Sequence, residues 1–416
     1  MQIYKELSKF ATLEKAWKSV RKNAQASNSA NKPKGLDEFE ANTSSRLKSI
    51  QSRIARRSYK FHQQKGVVLE KESGGYRPIV VYALEDRIVQ RAILDVLQEN
   101  VPKVEEVLRT PTSFGAIPQD FSPSGPSGVK NAIEEVMTYS RKGYRFFYRT
   151  DIPGFFTKVE KRRVIRFIEN EIDDFLFLDI FNRALDVSIE GAESLKEEVF
   201  SIFPSEELGI SQGSSLSPLL ANIYLYEFDR AMIESENCVC LRYLDDLLIL
   251  SDSNGGLQKS VHLAKRKLGE IGLSIYSQQD GNKEKYSSGD LAKRSFEFLG
   301  CDITNGSVIP SRKSKERLLS KVEAKCRNFK FGLSMMEKGS DNLSMTYPEF
   351  LEGVRRTVLG WSMSYRFCNH EHYFKSVDKK VAGKVQVVAN QVGRLSGNEK
   401  YFSLMYGIST HKNIFD

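Results

Sequence analysis

The sequence predicts an α+β fold in which antiparallel β-hairpins are set among many helices. Two segments, near residues 66–82 and 239–250, carry β-prone runs on either side of a short turn. Much of the remaining chain repeats apolar residues at helical spacing, and the part after Ser311 is both helical and basic. Because 416 residues exceed what one hydrophobic core usually fills, we expect two or three lobes.

The N-terminal part of the chain is predicted to be helical. Apolar residues recur at helical spacing over residues 1–24 and again from Ser44 to Arg57, with a Ser/Asn/Lys/Pro-rich stretch between them. The first twenty residues are charged and lack the apolar segment of a signal peptide. No run is long enough to span a bilayer, and the five scattered cysteines favour a reducing compartment. We therefore expect a cytoplasmic protein without a membrane partner.

The central part alternates between strands and helices. The runs 66–71 and 76–82 flank a turn with two glycines, which predicts a hairpin, and a helix is expected from Leu84 to Leu97. The next expected elements are a loop at 120–128, a strand at 145–150, helices at 161–170 and 217–232, and two short strands within 239–250.

The charge of the chain points to a polyanionic partner. Its formal net charge is +9 and its isoelectric point is about 9.1. Such a surplus suits nucleic acid, because Lys and Arg that neutralise phosphates release counterions. It would also suit an anionic membrane surface or a ribosome, so the charge alone does not identify the partner.

The most informative segment runs from Arg242 to Leu250, where Asp245 and Asp246 stand between hydrophobic, β-prone residues. Adjacent carboxylates repel each other, and the burial of an unpaired charge is unfavourable. A hairpin that carries both acids at its tip therefore suits a site for divalent cations. A solvent-exposed Asp-Asp turn is the alternative.

Two other segments carry candidate functional residues. Asp151 ends an aromatic, β-prone run and precedes a Pro-Gly break, so it would add a third carboxylate to a cation site. The alternative is an acid that caps the next turn. The Gly/Ser-rich run from Gly209 leads into a helix and offers backbone N–H groups to a ligand, although an ordinary loop with Ser217 as the helix N-cap explains part of it.

In this order, the three segments resemble the palm motifs of reverse transcriptases. The segment around Asp151 resembles motif A, the Ser-Gln-Gly-Ser loop at 211–214 resembles motif B, and the Tyr-Leu-Asp-Asp turn at 243–246 resembles motif C. The resemblance implies a right-hand polymerase, with fingers and palm of antiparallel sheet and helices and a mainly helical thumb. The implied domains are an N-terminal helical extension (1–57), fingers and palm (58–305), and a thumb and C-terminal nucleic-acid-binding region (306–416).

The resemblance also implies RNA-directed DNA polymerase chemistry with two Mg²⁺ ions, for which Mn²⁺ would be a substitute. Asp151 and Asp245 would bridge the ions, and Asp246 would support the cage. The carbonyl of Ile152 would add a ligand. One ion would lower the pKa of the primer 3′-hydroxyl, and the other would steady the triphosphate.

Five further residues are implied in nucleotide binding. Lys71 and Arg77 would neutralise the triphosphate, and Gln212 and Gly213 would lie near the incoming nucleotide. Phe156 would pack where a ribose 2′-hydroxyl falls, and so favour deoxynucleotides. RNA-templated RNA polymerases, the nearest rival enzymes, usually have a polar residue in that role.

The sequence departs from the family at the lysine that donates a proton to the leaving pyrophosphate. Counting from the Gly-Leu pair at 272–273 places Gln279 at that position. The nearest lysines are Lys283 and Lys285, and Lys283 is taken as the candidate general acid.

The basic C-terminal part is expected to hold the template–primer duplex through its phosphates. A solvated helical face is the alternative for any single residue, but aromatic rings interleave with these cations, which favours nucleic-acid binding by the group. The residues concerned are Arg312, Lys313, Lys321, Arg355, Arg356 and Trp361.

Within the family, the chain resembles the group II intron-like branch, and most of all the stand-alone defence-associated enzymes of the abortive-infection and unknown-group lineages. This resemblance implies anti-phage defence with a dedicated noncoding RNA, together with dNTPs and a DNA primer or product; an oligomer is left open. The alternatives are a catalytically silent RNA-binding protein with a polymerase fold and a group II intron maturase-type protein. Intact acids in both acid-bearing segments argue against the silent protein.

Overall fold

The computed structural model describes residues 3–26, 33, 35–70, 74–118, 128–194, 197–236, 238–281, 285–339 and 343–407. The chain forms two compact units, which we call the first unit (Met1–Val136 with Phe146–Ser288) and the second unit (Met137–Arg145 with Gly289–Asp416). Helices and antiparallel sheets occur in both, which confirms the predicted α+β class. The functional division at residues 57 and 305 stays a prediction.

The first unit surrounds its sheets with helices. Two of its elements, α7 and β6, also include residues assigned to the second unit. The elements are α1 (Ile3–Leu7), α2 (Phe10–Ala26), α3 (Leu36–Ala41), α4 (Thr43–Ala55), β1 (Lys65–Glu70), β2 (Tyr76–Val81), α5 (Leu84–Asn100), α6 (Pro102–Leu108), α7 (Val129–Arg141), β3 (Phe146–Asp151), α8 (Phe155–Lys158), α9 (Lys161–Glu169), α10 (Phe175–Leu185), α11 (Glu197–Phe200), α12 (Ser217–Ile233), β4 (Val239–Tyr243), β5 (Asp246–Ser251), α13 (Asn254–Gly269) and β6 (Ser287–Asp290).

The main sheet has the strand order β4-β5-β3-β6. β5 pairs with β4 on one side and with β3 on the other, and both pairings are antiparallel. The run from Leu247 to Ser251 is buried at every position, which is typical of a strand covered on both faces. β5 is therefore a buried internal strand of the sheet, and its first residue, Asp246, is held in place by both neighbouring strands.

The predicted hairpin at 66–82 is confirmed as β1 and β2, which pair from Lys65↔Val81 to Glu70↔Tyr76. Val80 and Tyr82 are buried in a small cluster with Phe203. Gly66 faces the same ring, because a Cβ atom there would lie 2.8 Å from Phe203. The hairpin is thus packed onto the rest of the first unit.

α12 is buried almost all round, which its apolar composition predicts. The expectation of Ser217 as its N-cap was wrong. The cap position is Leu216, and Ser217 is the first helical residue. Its hydroxyl instead donates to the carbonyl of Ser211 at 2.6 Å, so it closes the preceding loop rather than the helix end.

The second unit is mainly helical, as predicted. Its further elements are β7 (Phe296–Phe298), β8 (Cys301–Thr304), β9 (Ser307–Pro310), α14 (Arg312–Glu337), α15 (Tyr347–Ser364), α16 (Glu371–Leu395) and α17 (Glu399–Tyr406). The four helices share one apolar core, in which Phe329 and Phe350 stack with ring centroids 4.8 Å apart. In the described part of the chain, no helix is long and apolar enough to cross a membrane.

Candidate active site

The three predicted carboxylates lie at one end of the main sheet. β4 and β5 are joined by the two residues Leu244 and Asp245, and Asp246 begins β5. The register of β3 against β5 places Asp151 directly opposite Asp246. The N–H of Ile152 donates to the carbonyl of Asp245 at 3.1 Å. Strand pairing therefore gathers acids that are far apart in the sequence.

The electrostatics of this end of the sheet reflect the crowding of negative charge. Burial and the charges of Asp151 and Asp246 raise the pKa of Asp245 to about 6. Burial also raises the pKa of Asp246, and the guanidinium of Arg149 opposes that rise by donating to its carboxylate at 3.2 Å. The ammonium of Lys285 donates to Asp151. Two cations thus offset part of the repulsion among the acids.

Among the residues that the structure describes, no group of three or more His, Cys, Asp or Glu side chains has the geometry to hold a metal ion. The donors nevertheless fit a divalent cation in kind, because Asp151, Asp245 and Asp246 supply hard carboxylate oxygens on neighbouring positions. Burial and the neighbouring charges of Asp151 and Asp246 raise the pKa of Asp245, and a bound cation would relieve both the burial of charge and the repulsion. The ligand role of the Ile152 carbonyl stays a prediction.

The Ser-Gln-Gly-Ser loop packs against β2. The N–H of Val80 donates to the carbonyl of Gln212 at 2.9 Å, and the hydroxyls of Tyr82 and Ser211 share a 2.6 Å hydrogen bond. Gly213 has φ 140°, and a Cβ atom there would lie 2.1 Å from the Val80 carbonyl oxygen. Only glycine therefore allows this approach. The nucleotide-binding roles of Gln212 and Gly213 stay predictions.

The other predicted nucleotide-binding residues differ in how they are placed. The N–H of Ile210 donates to the carbonyl of Phe156 at 2.8 Å, which ties α8 to the same loop. The Phe156 ring is half-buried, whereas the neighbouring Phe155 is a core residue, 1% exposed. Arg77 is exposed on β2. Lys71 lies outside the described residues.

The structure places one of the two lysines near the expected general-acid position. Lys285 contacts Asp151, whereas Lys283 lies outside the described residues. No local signal in the sequence separates the two, since both follow the same loop. Arg149, which contacts Asp246, was missed because its position in an aromatic strand did not indicate a partner.

A buried polar network behind the Tyr-Leu-Asp-Asp turn was also missed. Arg242 donates to both carboxylate oxygens of Asp229, at 2.8 and 2.5 Å, and to the side chain of Asn222 at 3.0 Å. It also donates to the carbonyl of Leu244 at 3.2 Å. Asn222 and Asp229 are seven residues apart on α12, which places them on one face. That spacing in a mostly apolar helix was a signal of a shared partner.

The predicted template–primer residues all lie in the second unit, on α14 and α15. Five cations there are exposed, and some pair with acids on their own helix: Arg312, Lys313, Lys321, Arg355 and Arg356. Trp361 is half-buried against the core of the second unit, and its indole N–H donates to Ser314 at 2.9 Å. Its ring thus contributes to packing, and its contact with nucleic acid stays a prediction.

Comparison with known proteins adds to this geometry. The family described as "Reverse transcriptase (RNA-dependent DNA polymerase)" matches residues 68–303, more than half of the chain. "Protein YkfC" of Escherichia coli K12 is 27% identical over 168 residues, which is 40% of each protein. "Group II intron-encoded protein LtrA" of Lactococcus lactis subsp. cremoris is 26% identical over 168 residues, which is 40% of this chain and 24% of LtrA. The chain thus aligns with well under half of each of these relatives.

Solved structures show a more distant likeness. The apo telomerase of Candida tropicalis superimposes with a TM-score of 0.42 and 14% identity, covering 85% of this chain and 68% of the telomerase. A chain of a partial Cas6-RT-Cas1–Cas2 complex gives a TM-score of 0.35 and 22% identity, covering 65% and 42% of the two chains. At these scores the likeness carries no argument about function.

Proposed function

The chain belongs to the reverse transcriptase (RNA-dependent DNA polymerase) family, and we propose that it extends a 3′-hydroxyl with deoxynucleotides copied from an RNA template. One observation carries the proposal: the register of β3 and β5 sets Asp151 opposite Asp246 and close to Asp245. A surface turn has no need of a carboxylate, Asp245, whose pKa is raised by burial and by the charges of two neighbouring acids at the end of a sheet. A polymerase site does need them.

Asp151, Asp245 and Asp246, with the carbonyl of Ile152, would hold two Mg²⁺ ions, which on binding activate the primer 3′-hydroxyl and neutralise the triphosphate. Mn²⁺ is the expected substitute. Within the protein, strand pairing and the Ile152–Asp245 hydrogen bond orient the carboxylates. Among the described lysines, Lys285 is the candidate proton donor, because its ammonium contacts the carboxylate of Asp151.

Nucleotide selection is assigned to the neighbouring loop and strand. The Phe156 ring would exclude a ribose 2′-hydroxyl. The hydrogen bond from the Ile210 N–H to the Phe156 carbonyl fixes the backbone of Phe156 independently of that ring. Gln212 and Gly213, held on β2, would lie against the incoming nucleotide. Arg77 on the same hairpin would bind the triphosphate, with Lys71 as its predicted companion.

The exposed cations of α14 and α15 would bind the phosphates of the template–primer duplex. We further propose that the enzyme acts in the cytoplasm in anti-phage defence, with a dedicated noncoding RNA as template and partner. The motif resemblance to defence-associated reverse transcriptases supports this role. Cells that carry Asp245→Ala/Asp246→Ala should lose phage resistance, and undiminished plating protection by that variant would remove the enzymatic basis of the role.

The polymerase proposal is tested by incorporation of labelled dNTPs and, separately, NTPs into polymer by the purified protein with Mg²⁺. The reaction is run with and without co-purified RNA, beside the Asp245→Ala/Asp246→Ala variant. We expect deoxynucleotide polymer that the variant does not make, and sequencing of the product then identifies the template. A folded wild-type protein that incorporates nothing would favour the silent RNA-binding alternative.

A further inference from the structure

Arg242 is a cation buried within the strand that leads into the Tyr-Leu-Asp-Asp turn. Its side chain is 1% exposed, and all three guanidinium nitrogens donate hydrogen bonds. Besides its bonds to α12 and to Leu244, it donates to the hydroxyl of Ser113 at 2.9 Å. A buried guanidinium is tolerated only when its donors are satisfied, so this side chain has a single well-defined position.

The backbone of the turn is held in an unfavourable conformation. Leu244 has φ 56°, in the left-handed region that a branched, non-glycine residue rarely adopts. Its carbonyl accepts a hydrogen bond from Arg242. The Leu244 nitrogen also lies close to Gly115, where a Cβ atom would be only 2.5 Å away. Arg242 and Gly115 therefore both restrict the position of Leu244.

Backbone hydrogen bonds also connect Arg242 to the segment 112–115. The N–H of Arg242 donates to the carbonyl of Thr112 at 2.8 Å, and the N–H of Phe114 donates to the carbonyl of Arg242 at 2.9 Å. Asn222, a partner of the guanidinium, also donates to the carbonyl of Gly115 at 3.2 Å. Arg242 thus connects α12, the segment 112–115 and the turn in one network.

We propose that Arg242, oriented by Asp229, is a positioning residue: it holds Leu244 in the left-handed conformation and thereby sets the paired acids of the turn against Asp151. This inference rests on the proposed polymerase function and names the residues that control its geometry. The competing explanation is an ion pair that stabilises the first unit without fixing the turn. The two explanations differ in what a conservative replacement of Arg242 should do.

The test uses Arg242→Lys, which keeps the positive charge but replaces the planar guanidinium, whose separate nitrogens contact Asp229 and Leu244, with a single ammonium nitrogen. Extension of oligo(dT) on poly(rA) is measured with dTTP and Mg²⁺, normalised to the folded fraction from circular dichroism. We expect kcat to fall at least about tenfold while KM for dTTP changes by less than about twofold, because misplaced acids weaken the transition state more than substrate binding. The matched control is Arg91→Lys, which alters the 2.8 Å pair with the buried Asp95 on α5 and should leave kcat unchanged.

Two further readouts separate positioning from stability. Hydrogen exchange at the Ile152 amide, which donates to Asp245, should accelerate in Arg242→Lys and not in Arg91→Lys. Adding Leu244→Gly to Arg242→Lys should restore part of the lost kcat, because glycine adopts a left-handed φ without strain. If the ion pair only stabilised the fold, adding Leu244→Gly would lower activity further, because Leu244 packs against the core and loss of its side chain would destabilise the protein.

Failure of the positioning role of Arg242 can be told apart from failure of the proposed polymerase function. A wild-type protein inactive on every template refutes the polymerase function, while hydrogen exchange at Ile152 still reports whether Arg242 fixes the turn. An active wild type with unchanged kcat and unchanged Ile152 exchange in Arg242→Lys overturns the positioning role. A loss of total activity that disappears on normalisation to the folded fraction, without rescue by Leu244→Gly, overturns it as well.

Discussion

The ion pairs around the Tyr-Leu-Asp-Asp turn differ in burial from those on the helices of the second unit. The side chains of Arg242 and Asp229 are 1% and 3% exposed, whereas those of Arg355 and Glu352 are 64% and 37% exposed. Breaking a buried pair leaves a charge without water, but an exposed pair exchanges readily with solvent ions. The buried pair is therefore suited to fixing geometry, and the exposed cations are suited to exchanging a carboxylate for a phosphate.

Two pairs at the carboxylates themselves are intermediate. Arg149 with Asp246 and Lys285 with Asp151 are only partly buried. Their cations offset the repulsion among the acids, yet water reaches them. In the first unit, the network around Arg242 is buried and fixed, whereas the cations beside Asp151 and Asp246 remain accessible to water. Mutations in these two environments are therefore expected to have different effects.

The largest effect is expected from the carboxylates. Asp245→Asn should lower polymerase activity at least about a thousandfold, because the proposed ions then lack one of their ligands. The same change should raise the free energy of unfolding in Mg²⁺-free buffer by about 1–3 kcal/mol, since burial and like charges disfavour the ionised Asp245. Primer extension and urea unfolding measure the two quantities. An Asn variant that stays active would exclude Asp245 from the metal site.

Removal of the buried acid should have the next largest effect. Asp229→Ala leaves Arg242 buried without its carboxylate, so the free energy of unfolding should fall by about 3–5 kcal/mol. Glu352→Gln, which removes the acid of an exposed pair, is the matched control and should not change unfolding measurably. Equal unfolding curves for both variants would show that burial does not distinguish the two pairs.

Lys285 should affect the rate rather than the stability. Lys285→Ala removes the cation at Asp151, and kcat for dNTP addition should fall about 100-fold if the lysine also donates a proton. Lys285→Arg keeps the charge but donates a proton poorly, so it should remain nearly as slow. Single-turnover primer extension measures both rates. Full activity of the Arg variant would limit Lys285 to an electrostatic role and return Lys283 as the candidate general acid.

A smaller effect is expected for sugar selection. Phe156→Ala should raise the ratio of kcat/KM for NTPs to that for dNTPs about tenfold, because the ring no longer blocks the 2′-hydroxyl. Its backbone bond with Ile210 does not depend on the ring, so the loop should remain in place. Phe155→Leu is the control, since Phe155 is a core residue and its replacement should lower stability without changing the ratio. An unchanged ratio in Phe156→Ala would refute the steric role.

The local elements were predictable from the sequence, and the contacts that complete the site were not. Periodicity and turn residues placed the hairpin β1–β2 and helix α12 within a residue or two of their observed ends. The motif resemblance identified Asp151 and the paired acids. Nothing local indicates that Arg149 reaches Asp246 across the sheet, since strand register is decided by pairing between distant segments. The contact of Lys285 with Asp151 was unpredictable for the same reason, because it joins segments that are far apart in the sequence.

The smallest effects are expected from the exposed cations of the second unit. Arg355→Gln/Arg356→Gln should raise KM for the template–primer a few-fold and leave kcat unchanged, because phosphate-binding cations contribute to binding uniformly. The slope of log K against log salt should fall by about one for each phosphate that the variant no longer neutralises. Arg109→Gln, from an exposed pair with Glu105 in the first unit, is the matched control. If both variants change the salt slope equally, general surface charge rather than α15 binds the duplex. If only the α15 variant changes the slope, the arginines of the exposed pairs exchange a carboxylate for a phosphate. Their exposure, in contrast to the buried pair of Arg242 and Asp229, implies this second outcome.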